Sequence, residues 1–213
     1  RIIAGDFSGA IERLQKAVGV SVDPMYSMYA RLMLVVCFVS EGRLSEAEET
    51  LTEVIRFDDE NDFNLLGTTA RGMLSIALLS RGDLSGGVAV AEEVIQSYRE
   101  KGNHYRHALQ EYMLGTFYLR LVRKEGRGGV AFLAKNVGFL LRNLPHAAEM
   151  AAEHLTRSIE IAGRIGAHGV LGQAYLALGQ LSESGGRSEE AASALEKART
   201  EFEWCGSEVY LER

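Results

Sequence analysis

His104, His107 and Glu111 stand three and seven residues apart in "HYRHALQE", a spacing that puts three metal-competent side chains on one face of a helix. A closed site needs a further ligand and hydrogen-bonding partners behind the first set. His146, His154 and His168 are far off in the chain, and no local spacing brings them near. The triplet is therefore read as a solvated helix start, and no metal or cofactor is expected. "GRGGV" from Gly126 is glycine-rich, but no strand precedes it and the chain has no Walker lysine motif. It reads as a flexible lead into a helix. No Ser, His and acid combination announces itself. No catalytic residue is assigned, and the chain is not expected to be an enzyme.

The charged runs have simpler readings. "EAEE" at Glu46 and "DDEND" at Asp58 look like exposed helix starts, where acids meet the positive end of the helix dipole. Arg120, Arg123, Lys124 and Arg127 close a helix, where cations are favoured; a docking patch for an acidic partner is the functional alternative. Net charge is −6 and the cations are dispersed, which argues against nucleic acid or an anionic membrane as partner. The longest apolar run, Leu32 to Val39, is far too short to span a bilayer.

Two cysteines cannot build a disulfide framework. Cys37 is expected in a core and Cys205 as a partly buried thiol, so the cytoplasm is the expected compartment. The sequence opens "RIIAGDFSG", without an initiating Met or the apolar run of a signal peptide, and is read as a piece of a longer protein.

What would position such residues is a repeated element. "GDFSGAIERLQKAV", "GRLSEAEETLTEVI", "GDLSGGVAVAEEVI" and "GRSEEAASALEKA" begin at Gly5, Gly42, Gly82 and Gly186. Five residues after each glycine comes a small residue: Ala10, Ala47, Gly87 or Ala191. Steps of four and then three lead to Leu14 and Ala17, Leu51 and Val54, Ala91 and Val94, Leu195 and Ala198, one face of a helix each time. A further copy without the glycine runs through Ala151, Leu155 and Ser158. Ahead of each turn lies another amphipathic helix: about Pro24 to Glu41, Asp62 to Arg81, Tyr105 to Lys124 and Val170 to Ser184. Asp23 before Pro24 is an N-cap with a first-turn proline, and Ser45 with Glu48 has capping-box spacing.

The period is 37 from Gly5 to Gly42 and 40 from Gly42 to Gly82, above the tetratricopeptide period of about 34. Leu114-Gly115 and Leu178-Gly179 supply the Leu-Gly pair of the tetratricopeptide pattern, and Leu34-Val35 stand in its place; the proline closing each repeat is missing. From Gly82 to His146 the step is 64, so an insertion interrupts one hairpin and carries its own helix, about Gly129 to Asn143. The expected fold is all-α: a solenoid of tetratricopeptide-like helical hairpins forming a right-handed superhelix, with one inserted helix. As a single array over 1–213 it comprises a half repeat at 1–22, hairpins at about 23–60, 61–102, 103–165 and 166–205, and an end at 206–213.

The stretch from Asn136, with "NVGFLLRNLPHA" and "GAHGVLGQAYLALGQL", resembles the C-terminal tetratricopeptide tail of bacterial multidomain signalling proteins. In these a class III adenylate/guanylate cyclase and an AAA-type ATPase module precede the tail. The resemblance covers about the last 80 residues well and implies a regulatory or protein-binding tail. No cyclase residue carries over.

Two functions follow. In the first, the chain is an interaction module gripping a protein segment or a neighbouring domain on its concave face, lined by Tyr29, Leu32, Val36, Ile76, Tyr112, Thr116, Leu176 and Gln180. In the second, it is a ligand-sensing helical-repeat domain of a transcription activator or signalling ATPase. The groove is mainly apolar and lacks the Lys/Asn arrangement that clamps a C-terminal carboxylate. The inserted helix, with Phe132, Leu133, Phe139 and Leu140, is apolar nearly all round and is expected to be buried, against the hairpins or in a homodimer.

Overall fold

The computed structural model describes residues 7–61, 66–125 and 129–206. Gly5, the expected helix start at Asp62, Arg127, Gly126 and Gly128 lie outside the described residues. Helices run in chain order as α1 (Phe7–Val20), α2 (Pro24–Ser40), α3 (Leu44–Asn61), α4 (Gly67–Ser80), α5 (Leu84–Glu100) and α6 (His104–Val122). They continue as α7 (Val130–Asn143), a 3-10 turn (Leu144–His146), α8 (Ala147–Ile165), α9 (His168–Ser184) and α10 (Ser188–Trp204). The described residues contain no strand. None of their helices is long and apolar enough to cross a membrane.

The chain divides into two compact units, Arg1–Val94 and Ile95–Arg213. In the first, α1 packs on α2, α2 on α3 and α3 on α4. In the second, α6 pairs with α8, α8 with α9 and α9 with α10, and α6 also touches α9. The inserted α7 thus separates the two arms of one hairpin without preventing their pairing.

One backbone device makes the turns. Gly42 (φ 73°) donates its N–H to Val39, and the next amide, Arg43, donates to Phe38. Gly82 (φ 82°) with Asp83, and Gly186 (φ 74°) with Arg187, repeat the arrangement. These are Schellman motifs, whose left-handed residue is nearly free for glycine and strained for anything with a Cβ. At the end of α6 the same two bonds recur with Lys124 (φ 58°) in the glycine place. So α6 stops as the other first helices do, and the insertion begins only after that stop.

Helix starts are less uniform. The Asp23 carboxylate accepts the Met25 amide at 2.8 Å, capping α2 with Pro24 in its first turn. The capping-box expectation is corrected: α3 begins at Leu44, so Ser45 is already inside it, and Glu48 instead pairs with Arg81 at 2.5 Å. Asp58 is also corrected. It lies in the last turns of α3, is buried, and accepts the Leu66 amide at 3.0 Å just ahead of α4.

The repeated apolar face is filled where a helix has neighbours on both sides. Ala47, Leu51 and Val54 are sealed between α2 and α4, as are Ala151, Leu155 and Ser158 between α6 and α9. On α5, where a Cβ on Gly87 would stand 2.6 Å from Leu79, Gly87, Ala91 and Val94 are buried as well. On α1 the buried pair is Ala10 and Ile11, while Leu14 is half-buried and Ala17 exposed. On α10 Ala194 is buried and Leu195 is partly exposed. α1 packs mainly on α2 and α10 mainly on α9, so their buried stripes narrow and rotate. Small residues set the crossings. A Cβ on Gly115 would stand 2.8 Å from Leu155, and one on Gly179 2.9 Å from Leu195.

Candidate functional site

Three places are candidates for a functional role: the first and third lie within the second unit, and the second is a surface found in each unit separately. The first is the pairing of α6 with α8. Glu111, 2% exposed, is held between two imidazoles: its Oε1 lies 3.3 Å from His107 Nε2 and its Oε2 lies 2.6 Å from His154 Nδ1. Tyr118 stacks flat on the His154 ring, centroids 5.8 Å apart, and the Ser158 hydroxyl donates to the Ala108 carbonyl at 2.8 Å. Residue 108 faces 158 and 111 faces 154, as antiparallel arms require.

The expectation of a solvated helix start is therefore corrected. Only His104 is exposed; His107 and Glu111 turn inward because α8 covers them. His154, 43 residues from Glu111, is the partner that local spacing does not reveal. Both oxygens of the carboxylate are engaged by ring nitrogens, which suits a hydrogen-bonded tie across the hairpin. Among the described residues no group of three His, Cys, Asp or Glu is placed to hold a metal ion.

The second place is the accessible side of the first helices, α2 and α4 in the first unit and α6 and α9 in the second, each taken by itself. Tyr29 is 55% exposed. Val36, Ile76, Tyr112, Thr116, Leu176 and Gln180 are half-buried. Leu32 departs from the expectation: at 3% exposed it belongs to the core shared by α1, α2, α3 and α4. With α1 on one flank and α3 on the other, α2 buries Leu32, Leu34, Val35, Cys37 and Phe38, leaving a narrow outer strip. That strip carries Tyr26, Tyr29 and Met33, three and four apart and all exposed. Tyr26 and Met33 share the helical spacing of Tyr29 and were findable from it. In the second unit Tyr112 rests against the Ala108 and Ile161 cluster, and the Thr116 hydroxyl is used on the Tyr112 carbonyl.

The third place is α7. It spans the expected residues, but it is half-docked instead of buried. Asn136 is its one buried residue, and Phe132, Phe139 and Leu140 are half-buried. The Phe139 ring lies 6.2 Å from that of Phe117 on α6. Leu133 faces outward, 44% exposed. The cause is the pairing beneath it: Gly115 and Leu155 already close the α6–α8 seam, so an insertion from that turn can only rest on the outside.

The thiols differ as burial dictates. Cys37 is sealed in the core, where desolvation, and after it the Glu41 charge, pushes its pKa up. Cys205 is exposed, not partly buried as expected, since it follows the last turn of α10. Near that end His168 Nδ1 sits 2.6 Å from Glu201, and its ring stacks on the exposed Trp204.

Residues 4–62 match the family model of the tetratricopeptide repeat. No curated protein matches the chain. Among solved structures, BtubC (BKLC) from P. vanneervenii is similar at 15% identity and TM-score 0.69, over 97% of this chain and 77% of that one. A putative kinesin light chain with nearly identical TPR-like repeats from Podosopora anserina is similar at 17% identity and TM-score 0.60, over 93% and 88%. MamA is similar at 18% identity and TM-score 0.54, over 96% and 94%. The fold is that of tetratricopeptide-like helical hairpins.

Proposed function

We propose that the chain is a non-catalytic protein-interaction module that holds a segment of a partner protein, or of a neighbouring domain, on the accessible side of the first helices of one unit. Tetratricopeptide-like repeats generally mediate protein–protein interaction, and stacked hairpins offer extended surface for it. One observation carries the reading to particular residues: the exposed strip of Tyr26, Tyr29 and Met33 on α2. Tyrosine gives a large, stiff apolar body and one polar tip, and it is over-represented among residues that dominate binding energy. A strip without charge suits an apolar segment better than a terminal carboxylate. The likeness of the C-terminal stretch to the tails of bacterial signalling proteins supports a cytoplasmic regulatory role within such a protein.

The test is capture of the parent protein's partners by the chain with Tyr26 and Tyr29 both changed to Ala, and separately with Tyr112→Ala. Each tyrosine is partly or fully accessible, so the variants keep their helices. Loss of about tenfold in apparent affinity, worth ~1.4 kcal/mol, is expected for the double variant. Unchanged capture by both proteins removes this surface from consideration. Leu32 is unsuited to such a test because its loss opens the core.

A further inference from the structure

The outward side of α7 belongs to a different surface and carries its own signal. Val130, Leu133, Val137, Leu141 and Leu144 recur at steps of three and four, with Val130 84%, Leu141 76% and Val137 55% exposed. Ala134 and Gly138 lie between them and are exposed, and a Cβ on Gly138 would meet nothing within 4 Å. The five large side chains leave on the order of 500 Å² uncovered, at the upper end of the roughly 300–600 Å² largest patches of monomers. It is well short of the roughly 800 Å² per partner that a stable dimer buries.

Charge selects the occupant. The sequence of α7, "VAFLAKNVGFLLRN", has no acid. Its two cations, Lys135 and Arg142, are exposed seven residues apart on the flank beyond Ala134 and Gly138, away from the large apolar side chains. Among the described residues neither has an ion-pair partner, whereas Arg43, Arg81, Arg187 and Arg199 are each paired with a glutamate. Two copies of α7 packed antiparallel would bring this edge against itself and oppose cation to cation, which disfavours that pairing.

We infer that α7 is a docking helix for an amphipathic helix of another protein, one with apolar residues at three- and four-residue spacing and carboxylates along one edge. The apolar stripe supplies the contact, the small residues let the two backbones approach, and Lys135 and Arg142 fix which edge of the partner lies where. The modest area makes the complex reversible.

The probe is a fluorescent synthetic helix of about 18 residues, five turns, with leucines on one stripe and glutamates along one edge. A matching peptide carries lysines there. Anisotropy with the full chain is expected to show the glutamate peptide binding in the range of ~10 µM and at least about tenfold tighter than the lysine peptide. Leu141→Asp and Val137→Asp should each weaken it by about tenfold or more. Lys135→Glu with Arg142→Glu should reverse the preference between peptides, which a merely unfolded variant would not do. Equal binding of the two peptides, no binding at about 100 µM, or no effect of the Asp variants overturns the inference. Sedimentation showing a dimer that Leu141→Asp separates also overturns it, in favour of a second copy.

Discussion

Lys124 holds a left-handed conformation that glycine holds at Gly42, Gly82 and Gly186, and it does so while making the same two hydrogen bonds. An L residue pays about 1 kcal/mol there, so Lys124→Gly is expected to stabilise the second unit by up to ~1 kcal/mol in urea unfolding. Gly42→Ala should cost about as much in the first. The two thiols give a second residue-scale result. Cys205 should react at once with an aromatic disulfide reagent in the native protein. Cys37, buried and with its thiol pKa pushed up, should react only as the first unit unfolds, so one thiol counted early and two in denaturant is expected. Early reaction of both contradicts the sealed core around Cys37.

Between elements, the α6–α8 pairing depends on Glu111. Glu111→Ala leaves two buried imidazoles without their acceptor and is expected to cost about 2–4 kcal/mol in urea unfolding. A loss below half a kcal/mol would show that the tie is dispensable. This pair also marks where sequence reading stops. Helix-turn-helix order, the turns at Gly42, Gly82 and Gly186 and the place of the insertion are local, set by spacings of three, four and forty. They are legible because each is one stretch of chain satisfying its own backbone. Glu111 with His154, and Leu32 in the core, depend on which helix lies alongside. A hydrophobic spacing of three and four says that a face is apolar, but not whether one neighbour or two will cover it. α7 went the same way: its composition called for burial all round, and the seam beneath it was already full.

At the scale of the molecule, Leu51 packs among α1, α2, α3 and α4 of the first unit, so damage there should be read first in those neighbours. Leu51→Ala, at a sealed position in α3, is expected to cost about 2–4 kcal/mol. Hydrogen exchange should quicken in α2, α3 and α4 while α9 and α10 keep their protection. Uniform loss of protection throughout would mean one cooperative block. The stop at Lys124 has a different consequence, about history and about engineering. Because α6 terminates itself before the insertion starts, and α8 then reaches α6 through Glu111, Ser158 and Leu155, the hairpin does not rely on what lies between. That makes this turn a socket. A longer segment there adds only a loop-closure cost that grows with the logarithm of its length. Lineages could exchange the passenger helix, or a designer graft another recognition helix in its place, while the frame that carries it keeps its shape.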